Sequence, residues 1–470
     1  IQRYTHESRD IQPRAGDGEK LRWNWNTPIH LSPNDKGTLY IGAQYLFRTR
    51  DHGQSWDRIS PDLTTNDPKK QQQELSGGIT VDNSAAEMHT TIYSISESPK
   101  DRNVIWVGTD DGNVQVTRDG GKTWANTVRN IKGLPKASWV SWVEASRFDA
   151  ATAYATFDRH TFGDMDPHVY VTRDYGRSWT RIADQAQGVR GYAHVIREDV
   201  VDRDLLFLGT EFGLWISIDG GAHWAAFKGG KFPSVAVRDL AIQPRDQDLV
   251  IATHGRGIWI IDDITPLRHL DAAALDAELT LLPNRPQQQR LQGYGGWSRG
   301  DAVFVGANAP GSAVITYHQK TRHLFGKLKL EILDAGGKVI DTLPASKRRG
   351  INRVEWAMTV KPPRTPQGAT LAGAATYGPR VLPGRYTVRL TKNGQVYEAP
   401  LEIGLDPRAT YTRDDRKAQF DAAMRVHGLF ERMADLSDRI VGLREQAKAK
   451  AAALADGDRT KAQLAALIER

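Results

Sequence analysis

The chain contains no cysteine. Disulfides, thiolate metal sites and cysteine nucleophiles are therefore excluded together, while the redox compartment is left open. Long apolar runs are also missing. The 39% of residues that are hydrophobic are dispersed, and no stretch approaches the roughly 20 apolar residues of a membrane-spanning helix. Charge of one sign is in small surplus, because 63 basic and 56 acidic side chains leave +7 over 470 residues. No dense Lys/Arg run is interleaved with aromatics, so a nucleic-acid groove is not expected. The sequence has no Gly-rich phosphate loop, no His-Glu-x-x-His and no nucleophile elbow, which removes support for phosphoryl transfer, zinc proteolysis and serine hydrolysis. No signal-like segment follows Ile1, so any export signal is expected upstream.

What the chain does contain is repetition. TRDGGKTW (Thr117 to Trp124) returns as TRDYGRSW (Thr172 to Trp179), and looser copies occur elsewhere. Ahead of these octets lie five ungapped matches, each an Asp-bearing turn followed by a short apolar strand that ends in Gly or Thr. They are NDKGTLYIG, KDRNVIWVG, FDAATAYAT, VDRDLLFLG and RDQDLVIAT. An apolar stretch precedes each turn, and a third strand, the octet and a short fourth strand follow. Four strands per unit of about 45 residues is the pattern of a β-propeller blade. Within the octet, Gly permits positive φ, Asp and Ser/Thr oxygens bond turn backbone, and Trp packs on a neighbouring sheet. A corner needed once per blade explains the recurrence, so the octets are expected to be structural.

TRDHGQSW, TRDGGKTW, TRDYGRSW and SIDGGAHW resemble the Asp-box, or BNR, repeat. Its structural positions here are Asp51, Trp56, Asp119, Trp124, Asp174, Trp179, Asp219 and Trp224, and the fourth copy carries His223 where the pattern has Ser or Thr. The last unit keeps only Asp262 in GIWIIDD. Residues 20 to 265 resemble bacterial glycosyl hydrolase-like and sortilin-type propeller proteins, through VGTDDGNVQVTRDGGKTW, FLGTEFGLWIS and ATHGRGIWIIDDITPL. The resemblance implies a mainly β chain with five recognisable blades and a partial one. It also implies the C-terminal part of a larger propeller, completed by an upstream segment or a second chain. Ile1 to Gln12 reads as an outer hairpin of a preceding blade. The polar insertion from Pro61 to His89 is expected to be a loop over the channel face.

The reading divides the chain into a propeller portion (1–268), a connector (269–300), a β-sandwich (301–406) and a helical tail (407–470). Alternating strands such as AVFVGAN, KLKLEIL and GRYTVRL, with turns at Gly336–Gly337 and Asn393–Gly394, suggest the sandwich. It resembles immunoglobulin-like accessory modules. Phe420, Met424, His427, Phe430, Met433, Leu436, Ile440 and Leu443 recur at three- and four-residue steps and predict an amphipathic helix.

Chemistry is expected where loops converge at the channel mouth. Those loops carry Gln44, Asp110, Asp111, Asp158, His160, Glu211, His254 and Arg256. Glycoside hydrolysis needs two facing carboxyl groups, and Asp110 or Asp111 with Glu211 are the catalytic candidates. Gln44, Asp158, His160, His254 and Arg256 are the candidate ligand-binding face. The loop around Asp158, Asp164 and Asp166 would suit calcium if any cation, but it lacks EF-hand spacing, and no cofactor is expected. The preferred reading is an exported, periplasmic or secreted bacterial protein that binds a glycan or polypeptide. Its rivals are a glycoside hydrolase of the xyloglucanase kind and a structural half of a two-chain assembly.

Overall fold

Strands that are apolar on both faces need a cover on both faces, and the first 271 residues meet that need by stacking sheets side by side. Blade 1 consists of Ile29–Leu31, Leu39–Gly42, Leu46–Thr49 and Asp57–Arg58. Blade 2 consists of Ile92–Glu97, Ile105–Thr109, Val114–Thr117 and Ala125–Asn126. Blade 3 is Trp139–Ala145, Ala153–Asp158, His168–Thr172 and Thr180–Ala183, and blade 4 is Ala193–Glu198, Leu206–Thr210, Gly213–Ser217 and Ala225–Ala226. Blade 5 has three strands, Val237–Gln243, Asp248–Thr253 and Ile258–Ile261. Each of these five sheets is an antiparallel meander. The computed structural model describes residues 4–80, 84, 86–291, 310–366 and 377–469, which fall into two units, 1–271 and 272–470.

All four octets close in the same way. In the second, the Thr117 hydroxyl donates to Asp119 at 2.8 Å and accepts from Gly121 N–H at 2.9 Å, while Thr123 gives its N–H (2.9 Å) and hydroxyl (2.6 Å) to the same carboxylate. These bonds, the Thr123 hydroxyl first, hold the Asp119 carboxyl down to about 2. His223, which departs from the pattern, preserves it: its Nδ1 lies 2.7 Å from Asp219 and its N–H donates at 2.9 Å.

Each closed corner then docks on the blade before it. Trp124 donates its indole N–H to Ile59 O at 3.2 Å, just past the outer strand of blade 1, and Trp224 donates to Ile182 O on the outer strand of blade 3 at 2.7 Å. Trp179 packs edge-on against Trp106 instead, with ring centroids 5.8 Å apart. The approach is close enough to require glycine. A Cβ on Gly121 would lie 2.5 Å from Ile59 O, at φ +103°, and one on Gly221 would lie 3.0 Å from the Ile182 Cβ.

The N-terminal segment departs from expectation. Residues 4–12 contain no strand, yet Ile11 O accepts the Trp56 indole at 2.7 Å, and a Cβ on Gly53 would meet Ile11 at 2.6 Å. Ile11 thus takes on blade 1 the place that Ile59 and Ile182 take on later blades, held by the docking contact without a sheet. At the other end, Ile258 and Ile260 are exposed, whereas Leu214 and Ile216 at the matching places in blade 4 pack into the core it shares with blade 5.

A second joint between blades was not foreseen. Glu198 on the inner strand of blade 4 accepts from the Ser146 hydroxyl (2.9 Å), Arg147 N–H (2.6 Å) and the Tyr154 hydroxyl (3.1 Å), all in blade 3. Glu97 likewise accepts from Ser32 (3.0 Å) and Asn34 (2.6 Å) of blade 1. Burial pushes the Glu198 carboxyl up to about 7, against those hydrogen bonds.

In the second unit two sheets enclose one core. The three-stranded sheet has the order Leu279–Leu282, Ala313–Gln319, Gly350–Trp356, and the five-stranded sheet has the order Gln287–Gln289, Gln395–Leu405, Gly384–Lys392, Leu328–Leu333, Val339–Leu343. Tyr317 and Trp356 meet Leu330, Ile332 and Leu390 between them. Two of these strands fall in the expected connector, because Leu281 faces the core and Gln287–Gln289 adds a parallel edge strand. The strand expected in AVFVGAN lies outside the described residues. Short helix α1 (Ala272–Asp276) precedes the sheets, and α2 (Arg413–Ala452) and α3 (Arg459–Glu469) follow them. Thr412 and Asp415 form a reciprocal capping box that starts α2.

Two stability measurements follow from the joints. Gly121→Ala is expected to lower the unfolding free energy by about 3 kcal/mol, from backbone strain plus the clash, whereas Gly120→Ala, whose Cβ meets only the Asn103 side chain at 3.4 Å, costs about 1 kcal/mol. Chemical denaturation of both variants checks the difference. Glu198 keeps in the folded state a proton that the unfolded chain releases above its usual carboxylate range. Its contribution is therefore full below about pH 4.5 and falls as pH rises through about 7, by about 3 kcal/mol in total. Relative to Glu198→Gln, the unsubstituted chain is expected to lose stability between pH 5 and pH 8 in urea titrations.

Candidate functional site

The innermost strand of a blade has one edge without a sheet partner, and its N–H groups must be satisfied elsewhere. Serines do this. Ser94 and Ser96 of blade 2 accept from Val143 and Ala145 N–H of blade 3, both at 2.9 Å. The small hydroxyl side chains leave space, and all five inner strands line one cavity of about 990 Å³.

One cluster in that wall is aromatic and histidine-rich. Trp139 lies edge-on to Tyr93 (4.7 Å) and to His194 (6.0 Å), and His160 stacks on Tyr192 at 4.6 Å. Behind the histidines sits Asp158, fully buried, 2.5 Å from His160 Nδ1 and 3.5 Å from His194 Nδ1. Burial alone would raise the Asp158 carboxyl, but the bonds from His194 and His160 outweigh it and hold it below its usual value. Arg238 reaches Tyr192 Oη at 3.2 Å and His194 Nδ1 at 3.3 Å. The Trp139 indole N–H is buried with no hydrogen-bond partner among the described residues, so the ring, not its N–H, is what the cavity wall presents.

A second cluster is ionic. Arg197 binds Glu144 at 2.5 Å, lies 3.4 Å from Asp239, and covers the Trp142 ring at 4.1 Å. Trp142 donates to the same Glu144 carboxylate at 3.2 Å. His30 on the same wall is pushed down to about 4 by burial, then by Arg197 and Arg147, so it is neutral at pH 7. Its Nε2 accepts from Glu97 N–H at 3.2 Å.

The structure separates the sequence candidates. His160 and His254 line the cavity, and Asp158 stands directly behind it. Asp110, Asp111 and Glu211 do not line it. Asp110 accepts from the Thr91 N–H (2.8 Å) and hydroxyl (2.7 Å) and from Asn24 (3.2 Å), and pairs with His89 at 3.1 Å. Asp111 accepts from Thr65 N–H (2.7 Å) and hydroxyl (2.6 Å) and from Thr109 (2.5 Å). Both carboxylates are consumed in tying down the two ends of the Pro61–His89 insertion, whose Leu63 is fully buried. The structure therefore places these two carboxylates at the insertion and does not bring them together with Glu211 at the cavity. Gln44 is a buried brace between Arg22 N–H (2.7 Å) and Lys20 O (2.8 Å), and Arg256 is exposed away from the cavity. The aspartates of the blade 3 loop have their own cations: Asp164 binds Arg159 (3.0 Å) and His168 (2.9 Å), and Asp166 binds Arg181 (2.5 Å). Among the described residues no cluster of three His, Asp or Glu side chains is placed to hold a metal ion.

The residues missed, Trp139, Trp142, Glu144, Arg197 and Arg238, sit within inner strands. Their signal was charge and tryptophan inside segments, such as WVSWVEA and AHVIRE, that packing alone would fill with aliphatic side chains.

Asp111→Ala removes three hydrogen bonds from a buried carboxylate and is expected to cost about 3 kcal/mol. Faster amide hydrogen exchange at residues 62–67 than in the unsubstituted chain would show the insertion released; unchanged exchange there would contradict the anchoring role.

Residues 167–264 match the family model described as sortilin, neurotensin receptor 3. The oligoxyloglucan reducing-end-specific xyloglucanase of Emericella nidulans is 23% identical over 318 residues, covering 58% of this chain and 37% of that protein. Among solved structures, an ancestral GH74 enzyme is 13% identical, covers 80% of this chain and 45% of its own, and gives a TM-score of 0.38. The Niastella koreensis GH74 enzyme is 13% identical, with 80% and 57% coverage and a TM-score of 0.36. The chain thus spans about a third to just over half the length of these relatives. The repeats and the docked corners make the five blades an Asp-box propeller segment, similar over residues 167–264 to the sortilin model and over part of its length to a xyloglucanase.

Proposed function

We propose that the propeller segment binds a glycan in the inner-strand cavity, as part of an exported bacterial protein. The observation that carries this reading is the Trp139 cluster: aromatic rings on the cavity wall beside Arg238, which has no carboxylate partner among the described residues. Sugars present apolar ring faces to aromatics and hydroxyls to such donors. The similarity to a xyloglucanase adds a reason to start from xyloglucan. A polypeptide ligand is the second reading, favoured by Ile29 and Leu31, both exposed on the cavity wall. Hydrolysis is less well supported, since the carboxylates named from the sequence are held elsewhere and Glu144 is neutralised by Arg197. No helix among the described residues is long and apolar enough to cross a membrane.

Calorimetric titration of xyloglucan oligosaccharides into the chain tests the proposal. Trp139→Ala and Arg238→Ala are each expected to weaken binding about tenfold, a loss typical of one anchoring contact, with the thermal transition retained. Heat evolved equally by all three proteins would place the ligand elsewhere, and no binding to any glycan would leave the peptide reading to be pursued.

A further inference from the structure

Helix α2 carries two apolar faces where the sequence suggested one stripe. On the first, Arg416 donates to Val381 O (3.1 Å), His427 Nε2 lies 3.0 Å from Lys361 O, and Ala434 is buried. Phe420, Met424 and Phe430 are half-buried near this line. About half a turn round the helix lie Val426, Leu429, Met433, Leu436, Ile440 and Leu443, at alternating steps of three and four residues, each 48–64% exposed. A strict alternation of that kind is a 3.5-residue period, the repeat of a left-handed coiled coil and not of a helix packed on a globular core. Val426, Met433 and Ile440 fill one core position of the heptad, and Leu429, Leu436 and Leu443 the other, the combination that favours two strands.

We propose that this seam docks an acidic partner helix as a two-stranded coiled coil. The charge beside the seam selects the partner. Arg425, Arg432 and Arg439 occupy one flanking position in three successive heptads, Arg444 lies on the opposite flank, and all four are exposed; no ion pair engages them among the described residues. A second copy of this chain would set arginine rows against each other in an antiparallel pair, and Arg439 against Arg444 in a parallel one. A helix with Glu or Asp beside its own apolar seam would pair with the row instead. An anionic bilayer fits less well, because the seam is narrow and the rest of α2 carries exposed acids, including Glu431, Asp435, Asp438 and Glu445. The seam runs from residue 426 to 443, about 26 Å of helix, enough for two and a half heptads.

The test uses the full chain and two labelled 28-residue peptides with Ile and Leu at the core positions, one with Glu at every flanking position and one with Lys. Fluorescence anisotropy is expected to show the Glu peptide binding at least about tenfold more tightly than the Lys peptide. Leu436→Asp should abolish that binding, and Arg432→Glu with Arg439→Glu should reverse the preference; these exposed positions leave the helix intact by circular dichroism. Equal affinity for the two peptides, or no binding to either, overturns the proposal. So does a dimer in sedimentation velocity that Leu436→Asp dissolves, or binding to phosphatidylserine vesicles without preference between the peptides.

Discussion

One contact sets the spacing of the propeller: the glycine corner of each blade pressed against the outer strand of the blade before it. A Cβ at Gly121 or Gly221 has no room, so the distance between sheets is fixed by backbone, not by side-chain volume. The tryptophan that follows bridges the same gap with a hydrogen bond as well as a face. With the outer strands held at this separation, the inner strands are left to line a common space. Their own joints are polar, made by Ser94, Ser96, Glu97 and Glu198, and these keep the cavity edge from closing with aliphatic packing.

The repeat was legible because a corner that must recur in every blade leaves the same letters each time. TRDGGKTW encodes four side-chain hydrogen bonds, two positive-φ glycines and one docking ring, all local in sequence, so spacing alone revealed them. His223 shows the limit of reading letters: imidazole Nδ1 reaches Asp219 as a hydroxyl does. Ile11 shows it differently, since its place is defined by the surface it covers and not by strand geometry, which is why a hairpin was read there. The edge strands at Leu279–Leu282 and Gln287–Gln289 were hidden for a related reason, because prolines and glutamines beside them resemble a linker until their partners across the sheets are known.

The site was legible only in part. Asp110 and Asp111 follow a strand end as catalytic carboxylates can, but the same position suits a carboxylate that gathers a long insertion, and the donors arriving from Thr65 and Thr91 are not visible in sequence spacing. His160 was found because a loop residue stands out. Arg197 and Glu144 were not, because an ion pair formed across two blades has no sequence spacing to betray it. Charge brought together by tertiary structure is legible only once the order of the sheets is known.

Blades 1 and 5 are covered unequally. Blade 1 has its outer corner closed by Ile11 and a satisfied Trp56, whereas blade 5 stops at three strands with Ile258 and Ile260 uncovered. Arg238 and His254 belong to blade 5, so part of the cavity wall stands on the sheet that is least covered among the five described. Anything that seats there, by joining blade 5 to blades 3 and 4 through Arg238, would tie three sheets together along with filling the space.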